Sequence, residues 1–174
     1  MTTYPKANVD FDYFETVSAE AKVHRAARLI DFSTFTNYSK DEKTIILDTR
    51  SKRMYDKMHV KGAIHINFSD FTQAYLAEMI PDTNTRILIY CNNNFVQEPL
   101  FSETFVTKAY TPPLNTSNQL GISSFSLQPV NTLALNIPTY INLYGYHYRN
   151  VYELNELVPS TNPLLELEGT DILK

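Results

Sequence analysis

Short apolar runs that are followed by polar residues constrain the fold of this chain most. TIILDTR (44–50) and RILIYC (86–91) are only long enough for buried strands. Each of them ends in residues with charged or reactive side chains. GAIHINF (62–68) and NVYEL (150–154) are two further strand candidates. The sequence therefore predicts several short strands that are spread along the chain.

Helical patterns lie between these strand candidates. They are found at 18–30, 51–58, 70–80 and 136–146. Ser18, Ser69 and Asn136 are the predicted N-cap residues of the first, third and last helix. In the last one, Pro138 fits the first turn, and Gly145 stands where a left-handed residue ends a helix. Strands that alternate with helices indicate an α/β fold with a mostly parallel sheet.

Three chemically distinctive residues come at the ends of predicted strands. Asp48 and Arg50 end the first run, and Cys91, the single cysteine of the chain, ends the second. Right-handed crossovers place the carboxyl ends of parallel strands at one edge of the sheet, where ligands of open α/β folds bind. The pattern therefore predicts an acid, a cation and a thiol on the same rim.

Length and composition exclude several classes of protein. A chain of 174 residues suits one domain, 1–174, in which 1–27 is an N-terminal extension. A net charge of −4 disfavours a nucleic-acid partner. No run approaches the roughly 18 apolar residues of a membrane span, and the start lacks the pattern of a signal peptide. We therefore expect a soluble protein, cytoplasmic or, if a signal peptide has been removed, periplasmic.

The cysteine and histidine content makes disulfides and metals poor candidates. A single cysteine cannot form an internal disulfide, and the four histidines show no close metal-ligand spacing with it. We expect neither a metal site nor another cofactor. The sequence leaves the oligomeric state open.

The stretch 97–132 is predicted to be an insert. It is rich in proline, serine, threonine and asparagine and is long for a connection inside a compact domain. Residues 98–110 could form one helix within it, with Pro99 in its first turn.

The order of the segments LDTR, HVKGAIHI, ILIYC, LYGY and RNVYEL resembles the rhodanese-like family. The resemblance runs from about Arg28 to Leu154 and is interrupted by the insert. It is carried by Asp48, Arg50, His59, Gly62, Ala63, Ile64, Tyr90, Cys91, Gly145, Tyr146, Asn150, Val151 and Tyr152. It implies a three-layer fold with a central, mostly parallel five-stranded sheet and helices on both faces.

The same resemblance implies an activity. Cys91 would accept a sulfane sulfur from a small donor as a persulfide. It would then pass the sulfur to a protein thiol, a low-molecular-weight thiol or a cyanide-like acceptor. This sulfurtransferase chemistry requires a thiolate, and an unperturbed cysteine is only about 3% thiolate at pH 7. The residues that follow Cys91 are therefore expected to stabilise the anion.

The loop after Cys91 departs from the family pattern. Rhodanese loops commonly carry glycine and a cation within six residues of the cysteine, whereas here Asn92, Asn93, Asn94, Phe95 and Val96 follow. Asparagine tolerates left-handed backbone and supplies neutral donors, so the backbone of 92–96 is predicted to bind the persulfide. Without a cation, a neutral or protein-bound donor fits better than thiosulfate. The sixth residue after Cys91 is Gln97, not the arginine that a phosphatase of this fold needs.

Each of these candidate site residues also has an interpretation in which its role is structural. Without the resemblance, a lone cysteine after a strand is more often a core residue. Asp48 and Arg50 are predicted to support the site as an ion pair, with a catalytic role as the alternative. His59 is predicted to be a packed, hydrogen-bonded residue, with a general base as the alternative. The alternative for the whole chain is a catalytically weak or inactive binding or redox-sensing module on the same fold.

Overall fold

The structure is a computed structural model that describes residues 3–96, 109–110 and 131–172. Residues 97–108 and 111–130 of the predicted insert lie outside the described residues, and so does the predicted helix at 98–110 except for its last two residues. The helices are α1 (Phe11–Ala26), α2 (Phe32–Tyr38), α3 (Lys52–Lys57), α4 (Gln73–Met79) and α5 (Asn136–Gly145). The strands are β1 (Leu29–Ile30), β2 (Thr44–Asp48), β3 (His59–Val60), β4 (Ile64–His65), β5 (Arg86–Ile89), β6 (Phe95–Val96), β7 (Ala109–Tyr110), β8 (Asn131–Thr132), β9 (Val151–Leu154), β10 (Val158–Pro159) and β11 (Leu167–Glu168).

A five-stranded sheet forms the centre of the fold, in the order β1-β9-β5-β2-β4. All of its neighbouring strands are parallel. In register, Ile45 of β2 lies beside Ile87 of β5, which in turn lies beside Val151 of β9. The predicted parallel sheet is confirmed. It places β5, the strand that leads to Cys91, in the middle.

Helices cover both faces of this sheet, as predicted. Ile87 and Ile89 of β5 belong to the hydrophobic core that includes residues of α1, α4 and α5. Leu88 and Tyr90 belong to the core on the opposite face, together with Phe32 and other residues around α2. Because successive side chains of a strand point to opposite faces, a continuous apolar run can fill both cores.

Shorter strand pairs attach the last part of the chain to the rim of the sheet. β10 pairs in parallel with β6, directly after the turn that contains Cys91. β11 pairs antiparallel with β3. β7 pairs antiparallel with β8 and joins the two sides of the predicted insert. The C-terminal segment therefore supports both the cysteine turn and the segment after α3.

The N-terminal helix differs most from its prediction. It begins at Phe11, where the Asp10 carboxylate accepts a hydrogen bond from the N–H of Tyr13 at 2.8 Å. Ser18 lies inside the helix, so its prediction as the N-cap was wrong. The helix ends at Ala26, and residues 29–30 form β1 beside β9 instead of a last helical turn. No helix among the described residues is long and apolar enough to cross a membrane.

Two other predicted caps and one predicted strand also differ from the structure. Ser69 lies in a 3₁₀ turn, Phe68–Asp70, and α4 is capped by Thr72 instead. Of the predicted strand 62–68, only Ile64–His65 pairs in the sheet. Asn136 does not cap α5, because its side chain is hydrogen-bonded to Glu153.

The C-terminal end of α5 also differs from its prediction. The left-handed residue is His147, with φ 69°, and not Gly145, which is still helical.

Candidate functional site

Cys91 lies directly after β5, at the carboxyl edge of the central sheet. It precedes a 3₁₀ turn, Asn92–Asn94, and its carbonyl accepts the N–H of Asn94 at 3.0 Å. The N–H of Phe95 donates to the carbonyl of Asn92. The turn leads into the short strand β6. The residue is 5% exposed, so the thiol lies just below the surface of the rim.

Asn94 attaches the cysteine turn to the neighbouring strand. Its side-chain oxygen accepts the N–H of Cys91 at 2.9 Å. Its amide group donates to the carbonyl of Leu154 at 2.7 Å and to that of Glu156 at 3.3 Å. Asn94 is buried, and these bonds use both ends of its amide. The third residue of the asparagine run thus fixes the backbone of Cys91 to the end of β9.

Asp48 and Arg50 form a buried ion pair beside this turn. Asp48 is fully buried and Arg50 is 2% exposed. The Asp48 carboxylate accepts from the Arg50 backbone N–H at 2.9 Å, from Nε at 3.0 Å and from Nη2 at 2.7 Å. Burial of a charge is costly unless a partner and further hydrogen bonds compensate for it. The predicted ion pair is therefore present and well satisfied.

Arg50 also reaches the turn itself. Its Nη1 donates to the side-chain oxygen of Asn92 at 2.8 Å, and its Nη2 donates to the carbonyl of Met58 at 2.6 Å. Burial lowers the pKa of Arg50, but the hydrogen bonds to Asp48 and the charge of Asp48 raise it by more. The net pKa lies above its usual value. The rim therefore holds a permanent cation that connects β2 with the residue after the cysteine.

Tyr90 completes this polar cluster from the strand that carries Cys91. Its hydroxyl donates to Asp48 at 2.5 Å and accepts the N–H of Val60 at 3.1 Å. Burial first, and then the charge of Asp48, raise the pKa of this phenol well above its usual value. Tyr90 consequently stays protonated and remains a donor to Asp48. Its part in this cluster was not predicted, although a polar hydroxyl at the end of an apolar strand is a usable signal.

The cysteine turn and β6 also fix the positions of three other residues, Asn93, Phe95 and Val96. Phe95 is a core residue whose ring packs edge-on against Tyr90, with 5.6 Å between ring centroids. Val96 is partly buried in β6, beside Pro159. Asn93 is partly buried in the middle of the turn. Of the loop residues predicted to bind substrate, Asn92, Asn94 and Phe95 therefore also have internal structural contacts.

His59 is the first residue of β3, two residues after the end of α3. Its ring stacks on Tyr55 at a centroid distance of 3.8 Å, and its Nδ1 lies 2.7 Å from the Tyr55 carbonyl. Its Nε2 faces Glu168 of β11 at 3.6 Å. These contacts are those of the packed, hydrogen-bonded residue that was one of the two expectations.

The start of α5 reaches the same edge through residues that were not predicted to belong to the site. The hydroxyl groups of Thr139 and Thr49 are 2.7 Å apart and buried. The amide of Asn136 donates to Glu153, a buried carboxylate on β9 that also accepts hydrogen bonds from Arg25. The sequence feature that could have predicted this cluster is Glu153, the single charged residue in the run NVYEL.

Within the described residues, no group of three or more His, Cys, Asp or Glu side chains lies close enough to hold a metal ion.

Comparison with known proteins finds one family to which part of the chain is similar. Residues 31–112, a little under half of the chain, match the model of the rhodanese-like domain. No curated protein matches the chain. The matched residues include β2, the Asp48–Arg50 pair, β5 and Cys91, and the complete parallel sheet has the architecture that this family predicts. Residues 31–112 are therefore similar in sequence to the rhodanese-like domain, and the central sheet of the chain is consistent with that fold.

Proposed function

We propose that this protein is a sulfurtransferase in which Cys91 carries sulfane sulfur as a persulfide. The observation that carries the proposal is the position of the one thiol. It stands at the carboxyl end of the central strand, in a turn held by Arg50 on one side and by Asn94 on the other. A nucleophile in a fixed turn at this edge is what a group-transfer site of an α/β sheet requires.

The transfer takes place in two nucleophilic displacement steps. The Cys91 thiolate attacks the outer sulfur of the donor, a new S–S bond forms, and the old bond to that sulfur breaks. The electron pair leaves with the donor, as sulfite if the donor is thiosulfate. An acceptor thiolate then attacks the outer sulfur of the persulfide, which returns Cys91 as a thiolate. Neither step needs an oxidant or a reductant.

The charges around the turn favour a donor with little negative charge. The guanidinium of Arg50 is bound to the Asp48 carboxylate, so that its charge is largely compensated. The residues from Asn92 to Val96 carry no charge of their own. A dianion such as thiosulfate would therefore gain little electrostatic attraction. A persulfide on a protein or on a small thiol is the preferred donor class.

Turnover tests this proposal. The purified protein is incubated with cyanide and with mercaptopyruvate, thiosulfate or glutathione persulfide in turn, and thiocyanate is measured above a protein-free control. We expect activity with glutathione persulfide that disappears in Cys91→Ser, with an unchanged circular dichroism spectrum. Equal activity of the folded Cys91→Ser variant would refute the role of Cys91.

A second candidate function is a binding or redox-sensing module without turnover. It is favoured by the 5% exposure of Cys91 and by the internal use of two N–H groups of its turn, those of Asn94 and Phe95. A buried thiol whose neighbouring donors are already bonded reacts slowly. Alkylation by iodoacetamide at neutral pH distinguishes the two. A rate at or below that of a model peptide, together with no thiocyanate, supports the module.

A further inference from the structure

A cleft between the first and the last helix lies outside the part of the chain that the family model matches. It has a volume of about 310 Å³, and the described residues that line it all belong to α1 and α5. Its lining residues are Ser18, Ala21, Lys22, Arg25, Ile137, Tyr140 and Ile141. They follow helical spacing, so that one face of each helix contributes to the cleft. Neither helix lies within residues 31–112.

Contacts at both ends hold these two helices in an antiparallel pair. Near the end of α5, Gly145 lies against Val17 of α1, close enough that a β-carbon on the glycine would be 3.5 Å from the valine side chain. Near the start of α5, Arg25 and Asn136 both bind the carboxylate of Glu153. The cleft between these contacts is therefore supported by fixed elements, as is usual for ligand sites.

The walls of the cleft combine an apolar surface with donors on one side. Ala21, Ile137 and Ile141 supply the apolar part. The Ser18 hydroxyl is buried and has no hydrogen-bond partner in the described part of the chain. Buried hydroxyl groups are rarely left unpaired, and this one belongs to a residue that lines the cleft, so that a rotation of its side chain would present it to a ligand there.

The charged residues around the cleft determine which ligand charge it favours. Lys22 is exposed at its edge, and Arg25 lies in its wall. Glu153 compensates the charge of Arg25, so that Lys22 supplies the one uncompensated positive charge among the described residues of the lining. None of these described lining residues is acidic. A ligand with one negative charge and an apolar body complements this arrangement.

We propose that the α1–α5 cleft binds a small amphipathic monocarboxylate. The carboxylate lies beside Lys22 and Arg25, and the hydrocarbon or aromatic body lies on Ala21, Ile137 and Ile141. The volume is at the lower end of the range for small-molecule sites, which limits the ligand to about ten non-hydrogen atoms. The proposal does not depend on the chemistry of Cys91.

The test is a titration of the full-length ¹⁵N-labelled protein with octanoate and with its neutral counterpart, octanamide. We expect saturable changes in the amide signals of residues 18–25 and 137–141, with a dissociation constant in the millimolar range for a ligand of this size. We expect octanoate to bind at least about threefold more tightly than octanamide, as one partly exposed charge pair allows. Equal affinity for the two probes would overturn the assignment of the ligand as a carboxylate.

Three variants make the test specific. Lys22→Gln should weaken octanoate binding about threefold, whereas Lys43→Gln, the same change at an exposed lysine before β2, should leave it unchanged. Ser18→Leu fills the cleft and should abolish the saturable changes while the other signals keep their positions. Octanoate binding that survives in a folded Ser18→Leu variant, or that responds equally to both lysine changes, would overturn the site. If Ser18→Leu does not fold, the lysine pair decides.

Discussion

Asn94 shows how much a single side chain determines around the cysteine. Its amide is buried and bonded at both ends, to the N–H of Cys91 and to the carbonyl of Leu154. Asn94→Ala leaves these two groups without their partner, and an unsatisfied buried group costs about 1–3 kcal/mol. We therefore expect Asn94→Ala to lower the free energy of unfolding by about 2 kcal/mol in urea denaturation.

Asn93 is the matched control, since it is the same residue type in the same turn and is only partly buried. Asn93→Ala should change the free energy of unfolding by less than about 0.5 kcal/mol. Equal losses in the two variants would show that Asn94 does not hold the turn.

His24 gives the fold a pH dependence of known sign. Burial, and then the charges of Arg28 and Arg149, lower the pKa of its imidazole below the usual value, and its Nδ1 lies 2.9 Å from the hydroxyl of Tyr140. The unfolded chain therefore binds a proton at higher pH than the folded chain does. The stability that His24 contributes is complete above the unfolded pKa of about 6.5 and is lost as the pH falls through the folded value.

We expect NMR titration of His24 to give a pKa below that of a model histidine. We also expect the His24→Gln variant to lose less stability than the wild type when the pH is lowered through this range. A normal or raised pKa for His24 would contradict the account.

The residues of the site were predictable to different degrees. Asp48, Arg50 and Cys91 follow strands that the sequence marks clearly, and the parallel sheet brings them to one edge. The links through Asn92 and Asn94 could not be predicted, because they depend on which way a side-chain amide turns in a three-residue turn. Sequence spacing gives the position of a residue on a strand but not the direction of its hydrogen bonds.

Among the elements, the packing of the C-terminal segment against the end of α3 depends on Gly169. Gly169 follows β11 with φ 139°, and a β-carbon there would lie 2.3 Å from the carbonyl oxygen of Lys57 at the end of α3. The backbone of α3 would have to move to admit it. We expect Gly169→Ala to lower the free energy of unfolding by more than about 2 kcal/mol, since backbone strain and overlap add.

Gly62→Ala separates these two causes. Gly62 also has a positive φ, 76°, but a β-carbon there would contact nothing within 4 Å. Its replacement should cost only the conformational strain, about 1 kcal/mol. If Gly62→Ala is as damaging as Gly169→Ala, the close approach to Lys57 is not what makes Gly169 necessary.

Element boundaries were harder to predict than element types. The strands from 44, 86 and 151 are where the apolar runs placed them, because a buried parallel strand is continuously apolar. Helix starts depend on which of several polar residues becomes the cap. Asp10 and Thr72 have that role where Ser18 and Ser69 were expected, and all four are acceptable caps by type.

In the whole molecule, α1 is tied to the family domain by packing and by charge. Val17 and Ala21 are buried, and Arg25 binds the buried carboxylate of Glu153 on β9. We propose that residues 1–27 are part of one domain with the rest of the chain. Deletion of 1–27 should destabilise the fold by more than the roughly 3–5 kcal/mol that a buried charge costs when it loses its partner.

Deletion of residues 1–9 is the matched control, because residues 3–9 are exposed and precede the helix. It should leave the thermal unfolding temperature nearly unchanged. If deletion of 1–27 is equally harmless, the first helix is an appendage and not part of the domain.

The central claim for the molecule is that Cys91 carries sulfur, and the intact mass of the protein tests it most directly. The protein is treated with glutathione persulfide, and separately with thiosulfate and mercaptopyruvate, beside Cys91→Ser. The account predicts a gain of one sulfur atom on the wild type that cyanide removes and that the folded variant does not show. Absence of this mass from the wild type with all three donors, or its presence on Cys91→Ser, would contradict the account.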